Sequence, residues 1–389
     1  MVTVSQDSLE PHVMTAPHVG SEYDGIVREF RRAVRITGVQ HVEYYEHGLP
    51  TVAVDLLEHP GLAAVFRGSR TVPRARADYE MIGRHLNHRM TELNASLAGM
   101  GGGNLIRTVF AADDRAVLYF DVDNGQYIVG VCLTGEALDD ADRSLSRTAA
   151  RIRRARGMTD PNYGGYLDSG DISHLADHPE PPAGPSVEDR PDEARSTDAH
   201  AHGRADAHAD AHAADDAADS EGVHVFASLP RPSGPVFANP WASVIHRRWS
   251  SAPDHREEFF QALAVNILQP IDLQYIGLVR AGRMSVADVL DHSDLNEFFV
   301  GLGRSARRDA FEKVGIEFLA LSDLLDGHLR SVLNRRLSRT VLDVEKGALY
   351  FHRLGRDEVL LGVTLDQRRV ADADQRFQQL VHRFIAADG

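Results

Sequence analysis

The feature that most constrains this chain is that its two flanks repeat each other. Arg107-Thr108-Val109 recurs as Arg339-Thr340-Val341, Gly130-Val131-Cys132-Leu133 as Gly362-Val363-Thr364-Leu365, and Asp140-Ala141-Asp142 as Asp372-Ala373-Asp374, each at an offset of 232. Leu118-Tyr119-Phe120 matches Leu349-Tyr350-Phe351 at 231, which asks for a one-residue loss before that strand and a gain in the next turn. Upstream, His59, Leu62, Phe66 and Gly68 pair with His292, Leu295, Phe299 and Gly301 at 233. His88 and Asn94 pair with His328 and Asn334 at 240, which leaves a longer loop, Gly99 to Asn104, in the first copy. The order of these matches is kept throughout. Two copies are too few for a solenoid, so the chain reads as a duplicated domain.

The segment between the copies is chemically different. Of the net charge of -15 on 389 residues, -12 falls between Asp168 and Gly222, so the flanks are nearly neutral. That segment carries Pro179, Pro181, Pro182, Pro185 and Pro191, then a run of Ala, Asp and His with almost no large apolar residue. Such a composition cannot bury enough surface to offset its ordering entropy, so an acidic, Pro- and His-rich disordered linker is expected over 159–235. The copies are then placed at 21–158 and 236–387. His200, His202, His208 and His212 are the metal candidates of the linker, since the last two are four apart and share a face if the run turns helical. A tight site needs rigid, oriented support around its ligands, so no resident metal is expected there.

Each copy alternates helical and strand periodicity. Ile26, Phe30 and Val34 have helical spacing. Val39 to Tyr45 and Leu49 to Leu56 read as a hairpin around His47-Gly48. Ile82, Leu86, Met90, Leu93 and Leu97 mark a long middle helix. Leu105 to Phe110, Ala116 to Val122 and Tyr127 to Leu133 read as three strands, followed by a helix from Glu136 to Arg154. The stripe of that last helix, Leu138, Ala141, Leu145, Ala149 and Ile152, stays apolar when shifted by 232 to Val370, Ala373, Phe377, Val381 and Phe384. The second copy opens with Phe259, Leu263 and Ile267 on a helix and strands on either side of Ala281-Gly282. The expected fold class is α+β: two tandem α-β-β-α-β-β-β-α domains, each a five-stranded, mostly antiparallel sheet with helices packed on it.

With Thr37-Gly38-Val39 before the first hairpin, Gly48 in its turn, and the block Asn104 to Leu133 running into an Asp/Ala-rich amphipathic helix, this pattern resembles the roadblock/dynein light chain family. Leu337 to Leu365 repeats the block, and the two copies together cover about three quarters of the chain. Both copies depart from the family by inserting about twenty residues after the second strand, Glu58 to Ala77 and Asp291 to Arg308. The alternative fold is a secretion-chaperone-like α/β layer. The resemblance implies side-by-side dimerisation and binding of small Ras-like GTPases, or a scaffolding role. Duplication then implies an intramolecular pseudo-dimer, or a homodimer of whole chains. The 55 residues from Asp168 to Gly222 alone reach roughly 40 Å as a random coil, enough for such pairing. Leu86, Met90 and Leu93, with Leu325, Leu329 and Leu333, are the candidate interface residues.

Catalytic signatures are absent from the sequence. There is no GxxxxGK[ST], HExxH, GxSxG or CxxC, and Gly101-Gly102-Gly103 follows a helix where a phosphate loop would precede one. Cys132 lies in an apolar run and reads as an inert core residue. His59/His292 and His88/His328 read as structural histidines. His41, Glu43, Glu46 and His47 have no His-bearing counterpart in the second copy, which argues against a metal. Arg151, Arg153, Arg154 and Arg156 end a helix, where cations offset its dipole. The acidic balance disfavours nucleic acid and anionic membranes as partners. No apolar run reaches the roughly 18 residues a membrane span needs, and a cytoplasmic location with no cofactor is expected. The leading expectation is therefore a non-enzymatic adaptor or regulator with a protein partner. The alternative is a ligand-sensing or secretion-chaperone-like module whose inserted segments line a pocket, and an enzyme ranks third. An exposed apolar helix or strand edge favours the adaptor, and a polar pocket favours the sensor.

Overall fold

A computed structural model of the chain describes residues 10–66, 71–134, 138–166, 239–249 and 251–387. His200, His202, His208, His212 and most of the expected linker lie outside the described residues. The first half comprises β1 (His12–Thr15), α1 (Asp24–Ala33), β2 (His41–Glu46), β3 (Leu49–Asp55), α2 (Val72–Leu97), β4 (Leu105–Ala112), β5 (Arg115–Asp123), β6 (Gln126–Cys132) and α3 (Leu138–Ala155). The second comprises β7 (His246–Arg248), α4 (His255–Ile267), β8 (Tyr275–Arg280), β9 (Arg283–Asp288), α5 (Arg304–Leu333), β10 (Arg339–Val344), β11 (Gly347–Arg353), β12 (Glu358–Thr364) and α6 (Val370–Ala386).

Local chemistry sets the boundaries. Thr71 caps α2 by accepting from the Arg74 N–H at 3.4 Å, and Asp254 caps α4 by accepting from the Glu257 N–H at 2.9 Å. Asn334 ends α5 in the left-handed conformation. The first hairpin of each half turns on two residues with positive φ, His47-Gly48 and Ala281-Gly282, as a two-residue primed turn requires.

The twelve strands of the described residues form one antiparallel sheet, ordered β1-β3-β2-β6-β5-β4-β10-β11-β12-β8-β9-β7. Read outward from the middle, each half has the same strand order. One face carries α1 against α3 and α4 against α6, and the other carries α2 and α5 alone. The sheet is thus buried on both sides, and residues of both halves contribute to each apolar layer.

Three sequence expectations change. First, among the described residues each half has six strands, not five, because β1 pairs with β3 and β7 pairs with β9. At four and three residues these edge strands are too short to show a period, and β1 precedes the expected boundary at residue 21. Second, the match at 231 is a slip. Val109 faces Leu118 and Leu118 faces Gly130, while Val341 faces Tyr350 and Tyr350 faces Gly362. Leu118 therefore corresponds to Tyr350, and the offset stays at 232 with no residue lost. Third, the match at 240 fails. The Leu105 N–H is held by Asn94 and the Leu337 N–H by Asp326, again 232 apart. Asn94 corresponds to Asp326, His88 has no counterpart in His328, and the first copy has no additional loop.

Gly130 and Gly362 test this register. A methyl group at Gly130 would meet Leu145 of α3, and one at Gly362 would meet Phe377 of α6, both fully buried. We expect Gly130→Ala and Gly362→Ala each to cost about 1–3 kcal/mol in urea unfolding, the range for overpacking a dense core. A neutral result at either position would contradict the shared register.

Candidate interface site at the seam

The site begins with the strand edge that each half would otherwise leave open. β4 and β10 pair antiparallel, with Val109 facing Val341. These two residues are 232 apart, so each faces its own counterpart, the geometry of an isologous interface. Around that centre Thr108 faces Leu342 and Phe110 faces Thr340. The Gly101–Asn104 loop continues the contact. The carbonyl of Gly102 accepts from the Lys346 N–H at 2.9 Å and that of Asn104 from the Glu345 N–H at 3.0 Å. Gly103, at φ +84, lies so close to Glu345 that a side chain there would collide with it. The glycine run is thus a loop fitted to the other half.

Leu86, Met90, Leu93, Leu325, Leu329 and Leu333 all lie buried in the apolar layer between the sheet and α2/α5. The Thr108 hydroxyl lies 3.4 Å from the Met90 sulfur. α5 also reaches across the seam onto β5, where Arg115 Nη1 donates to the Val332 carbonyl at 3.1 Å. On the outer side of the helix pair the His85 and His328 rings meet edge-on at 5.8 Å, with Met81 and Leu324 exposed nearby in sequence.

On the opposite face the seam is closed by a buried ion cluster. Arg107 is 1% exposed; its Nη1 donates to Asp343 Oδ2 at 2.7 Å and its Nε to Asp142 Oδ1 at 2.8 Å. Burial alone would weaken this guanidinium's hold on its proton, but Asp142 and Asp343 raise its pKa well above the ordinary value. The corresponding Arg339 is paired with Asp374. Its partner across the seam is Ala111, so the second ion pair has no mirror image. The sequence signal for this cluster was the recurrence of Arg107 and Asp142 as Arg339 and Asp374.

Residues 159–166, placed by composition with the linker, form a tight turn over this cluster. The Gly164 N–H donates to Asp343 Oδ2 at 2.9 Å, and the Tyr166 hydroxyl to Asp142 Oδ2 at 2.6 Å. Gln367 of the second half donates to the Asn162 carbonyl at 3.0 Å. Gly165, at φ +68, presses against the backbone of Gln367 and Val370, leaving no room for a side chain. This peptide therefore bridges both halves.

The outer ends of the sheet are clamped alike. Asp55 accepts from Arg76 Nε at 2.8 Å and from the Leu57 N–H at 3.0 Å, while Asp288 accepts from Arg308 Nε at 2.9 Å and the Leu290 N–H at 3.0 Å. His12 and His246 stand beside them at 3.8 and 3.2 Å. Only the first half adds His41, 1% exposed, with Glu43 at 3.6 Å and Asp55 at 3.9 Å on opposite ring nitrogens. Glu43 also accepts from the Tyr45 hydroxyl at 2.5 Å. Among the described residues, no three His, Cys, Asp or Glu side chains are placed to hold a metal ion.

Other residues singled out by sequence have structural partners. His59 and His292 accept from the N–H two residues on and cap equivalent 3-10 turns. His88 pairs with Glu92 on the surface, and His328 Nδ1 lies 2.9 Å from the Leu324 carbonyl. Cys132 is buried, which raises its thiol pKa. Arg151 pairs with Glu29, Arg153 donates to the Thr159 carbonyl and Arg156 to the Tyr44 hydroxyl, so these three are anchored to the fold. Among the described residues no helix is long and apolar enough to cross a membrane.

No protein-family model matches the chain, and no curated protein matches it. Two solved structures are similar to part of it. The gliding protein MglB from Thermus thermophilus is 13% identical, with a TM-score of 0.28 over 38% of this chain and 96% of that chain. MglB in a tetrameric arrangement is 14% identical, with the same TM-score and coverage.

His41 gives the outer clamp of the first half a pH signature. Burial pushes its pKa down, but the Asp55 and Glu43 carboxylates outweigh this and raise it from 6.5 to about 9. A raised folded-state pKa stabilises the fold fully below the unfolded value, and the contribution is lost as pH rises through the folded one. Wild-type stability should therefore decline between pH 6.5 and about 9, by an amount of order 2–3 kcal/mol. His41→Asn should be less stable at pH 6 and nearly flat across that window in denaturant titrations. An unchanged slope in the variant would contradict the buried ion pair.

Proposed function

We propose that the chain is a duplicated roadblock-like domain folded into an intramolecular pseudo-dimer. In this reading it is a non-enzymatic cytosolic adaptor or regulator that binds a protein partner, and the partner class is a small Ras-like GTPase. The observation that carries the reading is the β4–β10 pairing centred on Val109 and Val341. It makes one chain the equivalent of a side-by-side pair, the state in which the resembled family works. The six buried candidates on α2 and α5 then hold the helix layer over the seam. Met81 and Leu324, 45% and 42% exposed on the outer sides of those helices, give the helix pair apolar contact points for a partner.

One observation favours the ligand-sensing reading. A cavity of about 580 Å³ is lined by Asp294, Leu295 and Phe298 of the second inserted segment together with Gln274 and Arg369.

Affinity capture from the native cell with the full chain, in the presence of GDP or a non-hydrolysable GTP analogue, separates the two. The adaptor reading expects a protein of about 20–25 kDa, the size of a compact single nucleotide-binding domain, enriched in one nucleotide state and releasing guanine nucleotide on denaturation. Met81→Asp with Leu324→Asp should weaken that capture without unfolding the chain. Enrichment of a small molecule with no nucleotide-dependent protein would favour the sensor and contradict the adaptor.

A further inference from the structure

The single offset of 232 allows each position at the seam to be compared with its counterpart, and one site differs in charge. In the second half Arg353 is 8% exposed. Its Nη1 reaches Ser322 Oγ at 2.6 Å and Asp323 at 2.7 Å, with Asp326 at 3.6 Å. Its other nitrogens donate to the carbonyls of Gly355 and Arg356. Arg336 donates to Asp326 at 3.1 Å and Asp323 at 3.3 Å, and Arg335 donates to Asp113 at 2.9 Å. This corner is filled by guanidinium groups, each satisfied by carboxylates.

In the first half the same positions are Asp121 for Arg353, Asn104 for Arg336 and Gly103 for Arg335, with Thr91 and Asn94 for Asp323 and Asp326. Those arginines are gone, and a cavity of about 550 Å³ lies there, lined by Thr91, Asn94, Asn104, Asp121 and Glu345, with Arg153 of α3 on its wall. Glu345 comes from the second half and accepts from Asn104 Nδ2 at 3.2 Å. No described residue hydrogen-bonds the Asp121 carboxylate. Arg153 directs Nε to the Thr159 carbonyl and Nη1 to the Val122 carbonyl. Burial lifts Asp121 to about 7, partly offset by Arg153 and reinforced by Asp123 and Glu345.

We propose that this cavity receives a guanidinium group, presented as an arginine side chain by the protein partner, in the place that Arg353 occupies in the other half. Two carboxylates and the side-chain amide oxygens of Asn104 and Asn124 match a planar cation with five donors better than a compact ammonium. The seam is required, because one of the two carboxylates belongs to the second half. The identity of the occupant as a protein side chain rests on the protein-binding reading above; the cavity's preference for a guanidinium does not.

The test titrates the full chain with N-acetyl-arginine-methylamide at about pH 8, where Asp121 is ionised, following amide NMR shifts at Asn104, Asn124 and Gly125. Saturable shifts are expected, about tenfold weaker for the lysine analogue and for Asp121→Asn. The variant Thr91→Asp with Asp121→Arg should supply its own guanidinium, stay folded and lose the response. Equal shifts with the lysine analogue, shifts unchanged in Asp121→Asn, or no saturable shift in the wild type would each overturn the proposal. Arginine-analogue binding together with a failed partner capture would leave the cavity's chemistry standing and defeat the protein-partner reading alone.

Discussion

The β4–β10 ladder is the interaction on which the rest of the structure depends. Without it each half exposes a long, flat, apolar strand edge, the feature that soluble proteins cover or blunt because it templates aggregation. β4 is buried along its whole length only because β10 lies beside it and helices cover both faces. At the far ends of the sheet the edges are short strands, β1 and β7, each pinned beside an aspartate–arginine clamp. The chain thus uses pairing in the middle and short, charged strands outside to manage the same problem.

Pairing a strand with its own counterpart makes every off-centre contact occur twice unless the two sequences diverge. Divergence is therefore informative. Asp343 faces Arg107, but Ala111 faces Arg339, so only one half of the seam gained a second buried ion partner. Breaking one member of such a pair costs about 3–5 kcal/mol because the other charge is left buried. The turn at 162–166 adds Gly164 and Tyr166 to the same cluster, on one side only. At the other end, the second half closed its corner with Arg353 and Arg336 while the first left Asp121 facing an open cavity. The two halves share a strand order and differ in the side chains they bring to the seam.

The order of elements was legible because helices and strands differ in period and because primed-turn residues marked both first hairpins. The registers were harder, for physical reasons. β5 is buried on both faces, so it shows no apolar–polar alternation, and a one-residue slip that aligned Leu118 with Leu349 cost nothing in pattern. On α5 the buried stripe Phe311, Gly315, Phe318, Ser322, Leu325, Leu329 and Val332 repeats after seven residues, close to two turns, so a slip of about two turns, as in the match of His88 with His328, leaves an apolar face in place. Only long-range pairing decides between such registers. The seam cluster was half legible, since Arg107 and Asp142 recur, but nothing in a single sequence announces that Asp343 stands opposite. The Asp121 cavity was not legible at all, because it is defined by what its counterpart contains.

The central claim is that strand pairing, and not the tether, holds the halves together. Inserting a recognition site for a sequence-specific protease after Ala213 and cutting it to completion isolates that question. Light scattering on the cleaved protein should then report one species with the mass of the whole chain. Two species, each with the mass of one half, would contradict the account.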